Sequence, residues 1–368
     1  MVITATQAGP RVQSLAIPPL RIVFFGTPAF AVPTLDALLA AAPHAVVGVV
    51  TQPDRPRGRG RQRSQAPVKA RAIAAGLPLL QPERMKDDAF LQSLSAWNAD
   101  LGVVAAYGKI LTDAILAVPR LGIINVHGSL LPRYRGAAPV HRAIIDGEIS
   151  TGITIMRVVK ALDAGPMLAK DRRAIGPDET SEEVERDLAR IGSRLLVAVV
   201  DQIARGNPRE TPQDEALATY AHRLTKDDGV IDWTWPAPRI QNLIRGLHPW
   251  PHAFSFLQGK RFILRRSAVE ATGPNRLRSV SGRQEGPGLP STDIGVGQVS
   301  LDPPKLSEVG VNPPGTIVEA TGDRLIVAAG DGLLRIVEIQ AEGKRPMGAR
   351  EFLAGHRLTA GDRFTAAP

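Results

Sequence analysis

Short apolar runs recur through the first half of the chain, with room for a helix between most of them. RIVFF at 21–25, AVVGVVT at 45–51, LGVVAA at 101–106, GIINV at 122–126 and GITIMRVV at 152–159 are rich in β-branched residues and show little polar alternation. That is the pattern of strands buried on both faces. After the first run, Leu35, Leu38 and Leu39 give a helix its apolar face. Thr27 is placed to cap that helix, and Pro33 is tolerable only in its first turn. Strands alternating with helices predict an α/β domain with a largely parallel sheet covered on both faces.

Thr180 and Glu183 form a capping-box pattern that opens a long helix to about Ala204, stopped by Gly206 and Pro208. A polar stretch follows, so residues 21–207 are expected to form one domain and 208–233 a linker. The pattern then changes. After one helix near 237–245, AFSFLQ, RFILRRS, GTIVEA, RLIVAA and LLRIVEI are short strands separated by turn residues. They predict a second domain over 234–368, a small barrel or sandwich. Residues 272–313 are rich in Gly, Pro and Ser and read as a mobile insertion between its strands, and 1–20 as a disordered leader.

A length of 368 residues agrees with two domains, and 43% apolar residues supply their cores. The chain has no cysteine, which excludes a disulfide framework, thiolate metal sites and a cysteine nucleophile, and fits a cytoplasmic protein. No apolar run approaches the roughly 18 residues that span a bilayer, so no membrane partner is expected. The net charge is +9, with 25 basic against 18 acidic residues up to position 207 and 20 against 18 after it. Much of the excess lies in residues 52–71, where Arg55, Arg57, Arg59, Arg61, Arg63, Lys69 and Arg71 face one acid. Such a loop cannot pack as a core element. It suits contact with phosphates or bases, the alternative being a solvated basic loop. Residues 239–266 also carry six basic residues and no acid, among them Lys260 and Arg261 in RFILRR. These are expected either to line one rim of the barrel or to form a solvated strand edge, with Trp250 and Phe254 in the core.

The richest chemistry lies in INVHGSLLPRYRGAAPVHRA, residues 124–143. Asn125 and His127 stand two apart at a strand end, so their side chains share a face. In open α/β sheets ligands bind beyond the carboxyl ends of strands. The alternative is an Asn and a His that only satisfy loop backbone. Asp163 follows the next apolar run. A carboxylate beside an imidazole fixes its tautomer and supports its charged form, whereas an Asp before a Gly is otherwise a turn residue. His141, after Pro139 at a helix start, reads as structural.

INVHGSLLPRYRGAAP with the downstream LDAG resembles the folate-dependent formyltransferases. FFGTPAFAVPTLDALL, the arginine-rich loop, ATYAHRLTKDDGVIDW with IRGLHPWPHAF, and RPMGAREFLAGHRLTAGDRF extend the likeness from Arg21 to near Phe364 and narrow it to the branch acting on tRNA. The resemblance implies a Rossmann-like catalytic domain followed by a barrel resembling an OB-fold. It implies Asn125, His127 and Asp163 as a catalytic trio, and Ser129, Leu130, Leu131 and Pro132 along the folate carrier. The donor would be 10-formyltetrahydrofolate, with no metal, and the acceptor the α-amino group of initiator methionyl-tRNA. The arginine-rich loop, Arg59 above all, would contact that tRNA, with Lys260 and Arg261 further along, and the enzyme is expected to be a cytoplasmic monomer. Ala29, the RGRQRSQ loop tip and Tyr134 depart from the family's commoner residues, and none of them belongs to the trio. Three rivals remain open: a formyltransferase for a small amine, a tRNA-binding protein with a silenced catalytic domain, and a dinucleotide oxidoreductase. The last lacks a GxGxxG turn in FGTPAF.

Overall fold

A computed structural model describes residues 17–54, 65–270 and 312–368. The first sixteen residues of the expected leader, the loop residues Arg55, Arg57, Arg59, Arg61 and Arg63, and nearly all of the expected insertion lie outside the described residues. The chain divides into two compact units, Met1–Leu224 and Thr225–Pro368.

In the first unit, β1 (Arg21–Gly26), β2 (Ala45–Val50), β3 (Leu79–Leu80), β4 (Leu101–Ala105) and β5 (Ile123–His127) are parallel neighbours. β6 (Arg135–Gly136) stands apart from this sheet. β7 (Ser150–Arg157) and β8 (Met167–Ala174) extend it antiparallel, giving the order β3-β2-β1-β4-β5-β7-β8 among the described residues. The fold is the expected Rossmann-like, largely parallel α/β arrangement, but β7 reverses direction, and β8, antiparallel to it, again runs with the first five strands. β8 has no apolar run to announce it: it is an edge strand whose Lys170, Asp171, Arg172 and Arg173 follow a buried start. Charged edges of this kind discourage pairing with another chain.

Helices cover both faces. α1 (Val32–Ala40), α2 (Pro67–Ala74), α5 (Pro139–Ile145) and α6 (Ser181–Ala204) pack on one side, with Leu35, Leu38, Val68, Val140, Leu188 and Leu196 against Phe24, Val103 and Val126. α3 (Asp88–Ala96) and α4 (Asp113–Leu116) cover the other side, around Phe25, Val104 and Tyr107. Thr27 does not cap α1: its hydroxyl donates to the Tyr107 carbonyl, and α1 begins at Val32 with Pro33 in its first turn. The capping box of α6 forms as expected between Thr180 and Glu183. Residues 208–224 differ from the expected linker. Thr211 exchanges backbone hydrogen bonds with Met167 at 2.8 Å, and β9 (Tyr220–Ala221) pairs with β6, so this polar stretch is held on the first unit. Strands of two residues leave no periodicity to read.

The second unit begins with α7 (Ala237–Gly246), followed by β10 (Ala253–Leu257), β11 (Lys260–Val269), β12 (Ile317–Thr321), β13 (Arg324–Ala328) and β14 (Leu333–Ala341). β15 (Met347–Gly348), α8 (Ala349–Gly355) and β16 (Phe364–Thr365) complete it. The sheet is antiparallel in the order β12-β13-β14-β11-β10-β16. Its ends meet where Ile317 N–H donates to Asp362 O at 2.7 Å and Phe364 N–H to Gly315 O at 2.8 Å. The sheet therefore curls into the expected OB-like barrel, which removes its edges.

Candidate active site

β5 runs in the middle of its sheet, and its last residues carry Asn125 and His127 on the α3/α4 face, the side to which Ile123 also points. His127 is buried, and its Nε2 donates to the Tyr134 carbonyl at 2.9 Å. Its Nδ1 lies 3.6 Å from Asp163 Oδ2. Asp163 comes from the loop between β7 and β8 and adopts a left-handed backbone with φ 47°. Its Oδ2 accepts the Gly136 N–H at 2.8 Å. Gly165 completes the loop because a Cβ there would lie 1.9 Å from the Arg157 carbonyl, which explains a glycine two residues after the aspartate. Among the described residues no protein group bonds the half-buried Asn125 carboxamide, which leaves it available to a ligand. An imidazole and a carboxylate thus approach each other from two segments, with Asn125 on the same face of β5 as the imidazole.

Large exposed apolar side chains stand on two loops: Ile110 after β4, and Val159 and Leu162 after β7, in the loop that carries Asp163. Lys160 Nζ, 3.6 Å from Asp113, brings these loops together. Isolated apolar residues beside polar loop residues are ordinary on any surface and gave the sequence reading no signal.

Ser129 and Leu131 are buried. The Ser129 hydroxyl donates to the Arg133 carbonyl at 2.6 Å, and Leu131 packs with Met156 and Met167. These two shape the chain after His127, while Leu130 and Pro132 are partly exposed. All but Ser129 line a cavity of about 700 Å³ shared with Tyr134, Thr151, Lys170 and Leu217. The cavity borders the segment but does not include Asn125, His127 or Asp163.

The basic residues of the second unit are less available than their spacing suggests. Arg261 lies over the Phe254 ring at 3.7 Å and pairs with Glu342 at 3.2 Å. Arg265 meets Gln340 at 3.2 Å and Glu338 at 3.7 Å, and Arg245 is buried against Asn242. Lys260 is exposed at the start of β11 and makes no ion pair among the described residues. Phe254 is in the core as expected, but Trp250 is 51% exposed.

His141 packs between α5 and α6 with its Nδ1 3.4 Å from Glu185. Burial, with Arg142 adding, pushes its imidazole down to about 4. Burial, with the Glu182 charge adding, pushes the Glu185 carboxyl up to about 7. Burial thus disfavours the charged form of both partners, which suits a structural histidine.

Comparison with known proteins bears on both units. A family model described as formyl transferase matches residues 20–200, and one described as formyl transferase, C-terminal domain, matches 223–357. A methionyl-tRNA formyltransferase of Roseiflexus sp. (strain RS-1) is 42% identical over 346 residues, covering 94% of this chain and 95% of its own. A protein of the same name from Caldanaerobacter subterraneus subsp. tengcongensis is 43% identical over 343 residues, covering 93% and 99%. Among solved structures, an N-formyltransferase from Helicobacter canadensis, in complex with folinic acid and dTDP-3-aminofucose, is 14% identical. Its TM-score is 0.59, over 88% of this chain and 99% of its own. HypX from Aquifex aeolicus in complex with tetrahydrofolic acid is 13% identical, with a TM-score of 0.55 over 91% of this chain. This chain spans 47% of HypX. At such identities the two structures show a shared fold.

Proposed function

The chain belongs to the formyl transferase family, and from that premise we propose that it moves the formyl group of 10-formyltetrahydrofolate onto the α-amino group of initiator methionyl-tRNA. The product is N-formylmethionyl-tRNA for translation initiation. The observation that carries this reading is identity above 40% to proteins of that activity, over more than nine-tenths of both chains.

The chemistry follows from the reacting groups. The acceptor amine attacks when neutral, and free α-amino groups titrate near roughly 7.7–8.0. Its nitrogen bonds the formyl carbon, and the carbonyl electrons move to oxygen. Collapse then breaks the bond to the folate N10, so one proton leaves the amine and one reaches N10. Asn125 donates to the developing oxyanion, an effect of about 3 kcal/mol at comparable sites. His127 manages the proton, and Asp163, 3.6 Å from its Nδ1, orients the ring and relays. No covalent enzyme intermediate is needed. Ile110, Val159 and Leu162 offer an apolar wall to a flat pteridine. The segment Ser129–Pro132 runs along the carrier, its Leu130 and Pro132 presenting the accessible surface. The arginines at 55–63, with Lys260, bind the tRNA backbone.

One assay tests the reading. With 10-formyltetrahydrofolate supplied, transfer to charged initiator tRNA is measured beside transfer to amino sugars and purine precursors. Turnover of a small amine without turnover of the tRNA would reject it.

A further inference from the structure

The segment 134–136 holds two members of the proposed trio, His127 and Asp163, from one side. The Tyr134 carbonyl takes the His127 Nε2–H, and the Gly136 N–H binds Asp163 Oδ2. Between them, Arg135 is 1% exposed and is the largest fully buried side chain among the described residues. Its Nε and Nη2 donate to Gln213 Oε1 at 3.0 and 2.9 Å, and its Nη1 and Nη2 donate to the Glu215 carboxylate at 2.8 and 2.7 Å. The Gln213 amide nitrogen faces the other way. It gives one hydrogen to the Asp163 carbonyl and one to the Gly165 carbonyl, each at 2.8 Å.

All four hydrogen-bonding capacities of that carboxamide are used, and Arg135 sets its polarity. Turned over, the amide would press its NH₂ against a guanidinium and its oxygen against two carbonyls. Asp163 is thereby held at both ends, by its carboxylate from Gly136 and by its backbone carbonyl from Gln213. Gly136 cannot be replaced easily: its φ is +118°, and a Cβ would lie 2.7 Å from the Ala221 carbonyl. The Asp163–His127 separation of 3.6 Å is beyond a good hydrogen bond, so a small shift of the loop decides whether the two groups engage.

We propose that Gln213, oriented by Arg135, is a positioning residue for Asp163, fixing the loop between β7 and β8 so that the carboxylate engages His127 during formyl transfer. This rests on the role given to Asp163 under the proposed function. The plain alternative is that Arg135, Gln213 and Glu215 only fasten residues 208–224 to the first unit.

Two variants separate these. Gln213→Glu keeps an acceptor for Arg135, now as an ion pair, but cannot donate to the two carbonyls. Gln213→Leu loses both connections. In single-turnover formyl transfer, Gln213→Glu is expected to fold as the parent does and to lose about tenfold or more in rate, toward the ~10²-fold that a 1 Å misplacement costs. KM for folate and tRNA should stay within about twofold, and the pH profile of the rate should shift. The loss should vanish in an Asp163→Asn background, because both changes act through one group. Unchanged rate and pH profile in the Gln213 variants, or a loss that adds in full to that of Asp163→Asn, overturns the proposal. Should Gln213→Leu not fold, Gln213→Glu decides alone. Wild-type rate in Asp163→Asn itself would instead overturn the role of Asp163, and this inference with it. Loss in Asp163→Asn with full rate in both Gln213 variants rejects this inference alone.

Discussion

His127 commits Nε2 to a backbone carbonyl, so Nδ1 is the nitrogen that faces Asp163. Asn125 on the same face has no protein partner for its carboxamide among the described residues. Replacing His127 with alanine should lower single-turnover transfer by about 10²–10⁴-fold. Asn125→Ala should cost about 10²–10³-fold in kcat, with the folate KM little changed. Rapid-quench measurement of formylated product checks both. A second residue-scale prediction concerns Glu185. Burial holds its folded carboxyl near about 7, above the ordinary value of 4.5, so the folded state keeps a proton that the unfolded chain releases. Stability is therefore lost as pH rises from about 4.5 to about 7 and levels off above that. Glu185→Gln mimics the protonated acid and cannot ionise. Its melting temperature should exceed the parent's by a margin that widens from pH 5 to pH 7 and then stays constant. The Glu185 side chain is 35% exposed, so water screens part of the effect. A margin independent of pH would refute the assignment.

At the scale of elements, what could be read depended on how local the cause was. The capping box of α6 needs only Thr180 and Glu183, three residues apart, and it is present as expected. Thr180→Ala should destabilise the first unit by about 1 kcal/mol, seen as a lower urea midpoint at unchanged m. The central strands were legible because burial on both faces leaves β-branched runs, and Asn125 and His127 because side chains alternate along a strand. β8 was hidden because an edge strand can be charged. That Asp163 reaches His127 depends on the return of the loop after β7 and on a glycine at 165, a tertiary fact with no local pattern. Gln213 sits in a stretch that reads as polar linker, and only the folded chain brings its amide between Arg135 and the Asp163 loop. Trp250 was misplaced for a related reason, since an aromatic between prolines carries no periodic sign of which side it faces.

At the scale of the whole molecule, the charge distribution makes a claim that single-site chemistry does not. A net charge of +9 is of little use to a small folate but attracts a polyanion. If tRNA is held through its phosphates, KM for the charged tRNA should climb steeply as salt is raised while KM for the folate stays flat, because cations displaced from phosphates return at high salt. The residues divide in what they contribute. Arg59→Ala should raise KM for tRNA and spare that for folate; equal loss of both would count against a dedicated tRNA role. Lys260 is exposed and unpaired among the described residues, so Lys260→Ala should lower the salt slope by about 1, the signature of one lost phosphate contact. Arg261 carries the same charge one residue later but lies against Phe254 and Glu342. Arg261→Ala should therefore act on the barrel's stability, through lost packing, more than on the salt slope. Plotting log KM against log salt for the two variants, beside their melting temperatures, tells a surface that meets the nucleic acid from one that only resembles it in sequence. A slope change in Arg261→Ala larger than that in Lys260→Ala would reverse the assignment.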